Sequence, residues 1–161
     1  MGNVISIIIG SQSDLETIQE AVNLLKEFKV GFEVRVLSAH RTPDELAEHI
    51  KNAAKKGTKV FIAAAGGAAA LAGVIASHTI LPVIAIPIET KSLKGLDSLL
   101  STVQMPAGIP VACMSIGRAG AKNAAIFAFE ILGLSNKSMQ SRLLSYKKKM
   151  RLKIKKIKIK L

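Results

Sequence analysis

Tryptophan is absent, tyrosine occurs once, and aromatic residues make up 4% of the 161-residue chain. A core cannot rest on large rings, so the 49% hydrophobic content must pack as Ile, Val, Leu and Ala. That composition suits a parallel sheet buried on both faces. Cysteine also occurs once, at Cys113, which excludes an internal disulfide and fits a reducing, cytoplasmic setting. The apolar run near the start, "VISIII", is too short for a signal peptide or a membrane span, so no membrane partner is expected. The opening "MGNVIS" matches the spacing of a myristoylation signal at Gly2 and Ser6; it reads instead as the lead into a first buried strand. The length is that of one domain with a sizeable core.

Acidic residues run out toward the end of the chain. Residues 1–136 hold 12 Lys and Arg against 11 Asp and Glu, whereas residues 137–161 hold 11 basic residues and no acid. The formal net charge of +12 is therefore a property of the tail. Such a tail can attract RNA, acidic lipid or an acidic partner. Apart from Tyr146 it lacks the aromatic residues on which bases stack, so it reads as a solvated helix end and nucleic acid is not the expected partner. The expected division is a catalytic α/β domain over 1–136 and a C-terminal helix with basic tail over 137–161.

What is present is a regular alternation of strand and helix patterns. "VISIII" at 4–9 is a continuous β-branched run, the mark of a central parallel strand. Leu15, Ile18, Val22, Leu25 and Phe28 then recur at helical spacing. "GFEVRVL" reads as a second strand and 43–56 as a second helix, with Pro43, Asp44 and Glu45 suited to its first turn. "KVFIAAA" is a third strand, followed by a small-residue helix over about 68–78. "LPVIAIPI" is a fourth, its prolines marking the limits, and a short helix over about 95–103 follows. "IPVACMSI" reads as a fifth strand, "AGAKNAAIFAFEIL" as the next helix, and 136 to about 150 as the last. The alternation implies a parallel sheet of about five strands with right-handed crossovers and helices on both faces. Ligands of such sheets bind beyond the carboxyl ends of the strands, at the point where strand order reverses.

The loops at those ends carry the chemistry. In "GSQSD" (10–14), Ser11, Ser13 and Asp14 offer oxygens and backbone N–H groups at a helix start. That is an anion site or simple helix capping by Ser13 or Asp14. It lacks the spacing of a dinucleotide fingerprint and the lysine of a P-loop. In "LSAHRTPDEL" (37–46), Ser38, His40 and Arg41 follow the second strand directly. Arginine presents a fork for phosphate or carboxylate and histidine can move a proton either way; the other reading is a polar surface turn. Gly66 and Gly67 in "AAAGGAAAL" allow close backbone approach, for a ligand or for helix packing. The long stretch "TKSLKGLDSLLSTVQMPAGIP" is a candidate functional loop by its length. His49 and His78 fall within helices and read as structural or surface residues, and Cys113 reads as core. No cluster has metal-ligand spacing.

Six stretches, "GSQSD", "SAHRTP", "AAGGAA", "LPVIAIPI", "GLDSLLSTVQMPAGIPV" and "GRAGAKNAA", occur in the order and spacing of the PurE family, which the chain resembles over about residues 3–134. Each is weak alone; six in register are specific. The resemblance implies a single-domain, three-layer α/β sandwich, doubly wound and flavodoxin-like. It implies conversion of N5-carboxyaminoimidazole ribonucleotide to 4-carboxy-5-aminoimidazole ribonucleotide in de novo purine synthesis, with no metal or organic cofactor. His40 would be the acid and base that serves decarboxylation and recarboxylation with trapped CO₂. Ser11, Asp14 and Arg41 would bind substrate, with Ser13 and Ser38 as phosphate or ribose partners. Gly66, Gly67, Met105 and Pro106 would line the base and CO₂ pocket. A homo-octamer with sites between subunits is implied as well.

One stretch departs from the family. The mutase type reads "GGAAHLPG" in the third loop, whereas this chain reads "GGAAALAG", with Ala70 at the histidine's place and Ala72 at the proline's. The change implies a slower or differently selective enzyme if that histidine holds substrate or CO₂. Two alternatives stand beside the mutase. One is direct carboxylation of aminoimidazole ribonucleotide by CO₂; the other is a non-catalytic nucleotide- or RNA-binding module with a basic tail.

Overall fold

The structure, a computed structural model, describes residues 2–159; residues 160 and 161 of the basic tail lie outside the described residues. Five strands, β1 (Ile5–Ile9), β2 (Phe32–Val36), β3 (Val60–Ala65), β4 (Val83–Pro87) and β5 (Ala112–Cys113), form one parallel sheet in the order β2-β1-β3-β4-β5. They alternate with α1 (Leu15–Glu27), α2 (Pro43–Lys55), α3 (Leu71–Ser77) and α4 (Leu96–Val103), and α5 (Gly117–Gly133) and α6 (Lys137–Lys155) follow β5. From β1 the chain moves outward to β2, then returns past β1 to β3. Right-handed crossovers that run in opposite directions lie on opposite faces of a sheet. The sheet is thus doubly wound, as the alternation of elements implies.

Burial follows the period-two geometry of strands. Ile8 of β1 is in register with Ala63 of β3, which is in register with Ala85 of β4. With Phe61 and Val83, this row packs against Leu46, Ile50 and Ala53 of α2 and Leu71, Ala72 and Ile75 of α3. The opposite row, including Ile5, Ile7, Ile9, Ile62, Ile84 and Ile86, is equally buried. Each such aliphatic side chain contributes about 1.5–3 kcal/mol, so small aliphatics in number replace the missing aromatics. β2 lies at the sheet edge and is accordingly only partly covered.

The fifth strand is much shorter than the run "IPVACMSI" implies. Only Ala112 and Cys113 pair with β4, and Met114 adds one further N–H to the Ala85 carbonyl. Pro110 has no N–H to donate, and β5 is the other sheet edge with a single neighbour. Cys113 is therefore half-buried, not a core residue. His78 likewise stands at the C-cap of α3, exposed, instead of within the helix.

The backbone divides into two compact units between Ala128 and Phe129, within α5. In the second, Asn136 caps α6 by accepting the Met139 N–H at 3.1 Å, Lys147 meets Glu130 at 3.0 Å, and the Arg142 guanidinium lies 5.3 Å from the Phe129 ring centre. α6 runs past residue 150 to Lys155. The reason is on the sequence: residues 137–159 contain no Gly or Pro, and Lys153 and Lys155 face the negative end of the helix dipole.

His49 of α2 has a structural place, as expected. Its Nε2 is 3.0 Å from the Oγ of fully buried Ser6 on β1 and 3.5 Å from a Glu33 carboxylate oxygen. Burial pushes its pKa down, Glu33 opposes the shift, and Arg35 and Lys56 add to it. A histidine with a depressed folded pKa stabilises fully above its unfolded pKa of about 6.5 and loses that contribution as pH falls through the folded value. Melting temperature is expected to drop as pH falls below about 6.5, and His49→Gln is expected to flatten that part of the curve. Calorimetry across pH checks this; an unchanged slope in the variant contradicts the assignment.

Candidate active site

Strand order reverses on either side of β1, and a cavity of about 430 Å³ opens at the carboxyl ends of β1, β2 and β3. Three connections wall it: Gly10–Asp14 after β1, Ser38–Arg41 after β2, and the turn after β3. This is where open parallel sheets bind ligands.

The first connection is a capping box. The Ser11 side chain accepts the Ser13 N–H, and the Asp14 carboxylate accepts the Ser11 N–H at 3.1 Å. Ser11 thus caps the single turn Gln12–Asp14, and Asp14, one of the two expected caps, closes the box with its carboxylate and stands at the N-cap position of α1. Ser13 Oγ adds hydrogen bonds of 3.0 Å to Ser11 Oγ and 3.3 Å to Asp14 Oδ1. Gly10 continues the ladder, its N–H donating to Ala64 at 3.1 Å. Asp14 is buried, and burial raises its carboxyl pKa; the Ser13 hydroxyl, the Ser11 N–H and the Arg41 charge oppose that rise.

The second connection is a self-tied turn. Ser38 N–H donates to Thr42 Oγ1 at 2.8 Å, and the Thr42 hydroxyl donates to the Ser38 carbonyl at 3.1 Å. Arg41 donates from its backbone N–H and its Nε to Ser38 Oγ, and from a terminal nitrogen to the Gly10 carbonyl at 2.7 Å. The guanidinium therefore joins the first two connections and brings positive charge to the cavity. His40 is exposed on the cavity wall, its ring held by no hydrogen bond among the described residues. A ring so placed is open to a ligand.

The rest of the lining is small and apolar: Ala39 on the second connection, and Ala65, Gly66, Ala69, Ala70 and Leu71 at and beyond the end of β3. β3 ends in three alanines, so the sheet narrows where the cavity begins. A Cβ on Gly66 would lie 3.4 Å from Ile88 Cβ, so Gly66 runs alongside the chain as it leaves β4. Among the described residues, no group of three or more His, Cys, Asp or Glu side chains is placed to hold a metal ion.

Of ten residues expected at the site, Ser11, Ser13, Asp14, Ser38, His40, Arg41 and Gly66 line this cavity. Gly67, Met105 and Pro106 do not. Gly67, at a left-handed φ of 67°, gives its N–H to Ser98 and accepts from Ser101. Met105 packs against Gly73 of α3, and Pro106 is exposed. Sequence reasoning missed the alanine wall, whose composition looks like ordinary core, and the two serines of "LDSLLST" that hold Gly67.

The molecule is an open, doubly wound α/β protein with a cavity at its switch point. The model of the AIR carboxylase family matches residues 4–153, and the chain belongs to that family. It is 54% identical over 151 residues to the N5-carboxyaminoimidazole ribonucleotide mutase of Methanocaldococcus jannaschii, covering 94% of this chain and 92% of that one. It is 51% identical over 147 residues to the mutase of Saccharolobus solfataricus, covering 91% and 92%. The crystal structure of Treponema denticola PurE superposes with a TM-score of 0.85 at 30% identity, over 93% of this chain and 92% of that one.

A carboxyl whose pKa is raised by folding stabilises below its unfolded pKa and loses that contribution as pH rises through the folded value. Ionised Asp14 thus carries a cost at neutral pH. Asp14→Asn keeps an oxygen for the Ser11 N–H and removes the charge. Its melting temperature relative to the parent is expected to be higher at pH 7 than at pH 4; a difference independent of pH contradicts this electrostatic reading.

Proposed function

We propose that the chain isomerises N5-carboxyaminoimidazole ribonucleotide to 4-carboxy-5-aminoimidazole ribonucleotide, a step of de novo purine synthesis. The observation that carries this reading is the cavity itself. His40 shares one lining with Ser11, Ser13, Ser38, Arg41 and Asp14 and with small apolar residues, which supports an anion and a base in the same cavity. In this reading the substrate phosphate and ribose take Ser11, Ser13, Asp14, Ser38 and Arg41, and the base and CO₂ take the wall at Gly66. Gly67 adjoins that wall, whereas Met105, beside Gly73, and the exposed Pro106 take no part in it in this reading.

The N–C bond of the carbamate breaks, releasing CO₂, and His40 as imidazolium gives its proton to the nitrogen. C4 of the ring then attacks the CO₂ carbon, forming a C–C bond, and neutral His40 takes the C4 proton. The histidine ends in the state in which it began, no electron is gained or lost, and no cofactor enters the balance. An imidazole suits both roles because either state is accessible near neutral pH. Alanine methyls near the reacting carbon exclude water, which keeps CO₂ from hydration. At Ala70 the lining offers a methyl group, and among the described residues His40 is the imidazole that lines the cavity.

The working form in this reading is a homo-octamer in the cytoplasm. Leu93, Leu96, Leu100 and Val103 recur at helical spacing on and before α4, each about half exposed, and a second copy of the chain would cover them. The free Cys113 thiol accords with a reducing compartment. No helix among the described residues is long and apolar enough to cross a membrane.

His40→Asn tests the mechanism. Because His40 is exposed, its melting temperature is expected to stay within a few degrees of the parent. Turnover of N5-carboxyaminoimidazole ribonucleotide is expected to fall by about 10²–10⁴. Turnover retained within about tenfold removes His40 from the proton-transfer role.

A further inference from the structure

Ser98 of α4 has no exposed surface, and its hydroxyl is used twice. It donates to the Ile88 carbonyl at 2.7 Å and accepts the Gly67 N–H at 3.0 Å. Ile88 follows directly on β4, beyond its last ladder pair with β3. The one hydroxyl therefore ties three pieces together: the end of β4, helix α4 and the turn after β3. One turn along the helix, the Ser101 hydroxyl donates to the Gly67 carbonyl at 3.3 Å and to the Asp97 carbonyl at 2.8 Å. Both polar groups of a single peptide residue are thus held from α4.

Gly67 itself is not part of the cavity wall, but it sits between the residues that are. Gly66 precedes it and accepts the Ala69 N–H at 3.4 Å, and Ala69 and Ala70 follow on the same wall. Two residues of this short turn, Gly67 and Ala69, have positive φ. A turn with so few internal bonds takes its position from outside contacts, and the hydrogen bonds of Gly67 lead to α4. His40 reaches the cavity on the separate connection after β2. The distance between proton carrier and wall is then set by two independent supports.

We propose that Ser98 is a positioning residue for the reaction, with Ser101 in a supporting part: through Gly67 they set the depth of the Gly66–Ala70 wall opposite His40. Neither hydroxyl lines the cavity, so neither touches substrate. The proposal rests on the mutase reading. It also gives the "GLDSLLST" stretch a use that its distance from the cavity would not suggest.

The test compares the full chain with Ser98→Ala, Ser101→Ala and Gly67→Ala, using steady-state kinetics with N5-carboxyaminoimidazole ribonucleotide at 25 °C, alongside melting temperatures. In Ser98→Ala, kcat is expected to fall about ten- to a hundredfold, the scale of a misplaced reacting geometry. KM is expected to change by less than about threefold, because the serine and arginine contacts to the phosphate are on other connections. Ser101→Ala is expected to shift kcat in the same direction by less. A Cβ on Gly67 meets no neighbour, so Gly67→Ala disturbs only the turn's conformation and is expected to repeat the kcat loss. Should Ser98→Ala fail to fold, the other two variants carry the test. Wild-type kcat in folded variants, with only a lower melting temperature, overturns the positioning role and leaves the mutase reading intact. No turnover by the parent chain overturns the mutase reading and this inference with it.

Discussion

The site depends on one topological constraint, the position of β1 between β2 and β3. Because the chain leaves β1 in one direction and returns past it in the other, the connections after β1 and β3 diverge at the carboxyl edge. A parallel sheet must keep its backbone paired, and the divergence leaves room for a cavity beyond that edge. β1 is buried along all five residues and pairs on both sides, so it is held firmly in the sheet. The cavity is placed by this rigid centre, and its chemistry is delivered by the connections that leave it.

Those connections are held by polar contacts of different strength. Arg41 spans the first two by a short bond to the Gly10 carbonyl, and the capping box fixes Asp14 under Ser11. The third connection has little of its own to hold it and borrows its support from α4. The division suits the chemistry assigned to each part. An anion is gripped well by a preorganised charge such as the Arg41 guanidinium, whereas trapping CO₂ needs only a close, dry, correctly placed surface.

Much of this was legible in the sequence because the physics is local. The apolar runs gave β1, β3 and β4 within a residue or two, since a parallel strand buried on both faces is nearly continuous in apolar residues, and the alternation in "FEVRV" gave the half-covered edge strand β2. Pro43 with Asp44 and Glu45 marked the start of α2 correctly. The fifth strand was overread because its apolar run lies at a sheet edge, where hydrophobic content does not compel pairing and Pro110 withholds a donor. In the site, Ser11, Ser38, His40 and Arg41 stood out as polar residues at strand ends. The alanine wall did not, because a small apolar residue that lines a cavity has the same chemistry as one that fills a core. Gly67 shows the reverse: the doublet signalled close approach, and only the fold distinguishes approach to a ligand from approach to a helix. The roles of Met105 and Pro106 came from resemblance alone, and their places in one chain lie outside the cavity.

The central claim is that the chain moves a carboxyl group within one substrate. It is tested most directly by paired initial rates on the purified protein. One assay supplies N5-carboxyaminoimidazole ribonucleotide without added bicarbonate; the other supplies aminoimidazole ribonucleotide with bicarbonate at physiological concentration. The account predicts turnover of the first and little of the second, since the CO₂ that reacts is the one released in the cavity. Faster product formation from the second pair would contradict it and make the protein a carboxylase that draws CO₂ from solution.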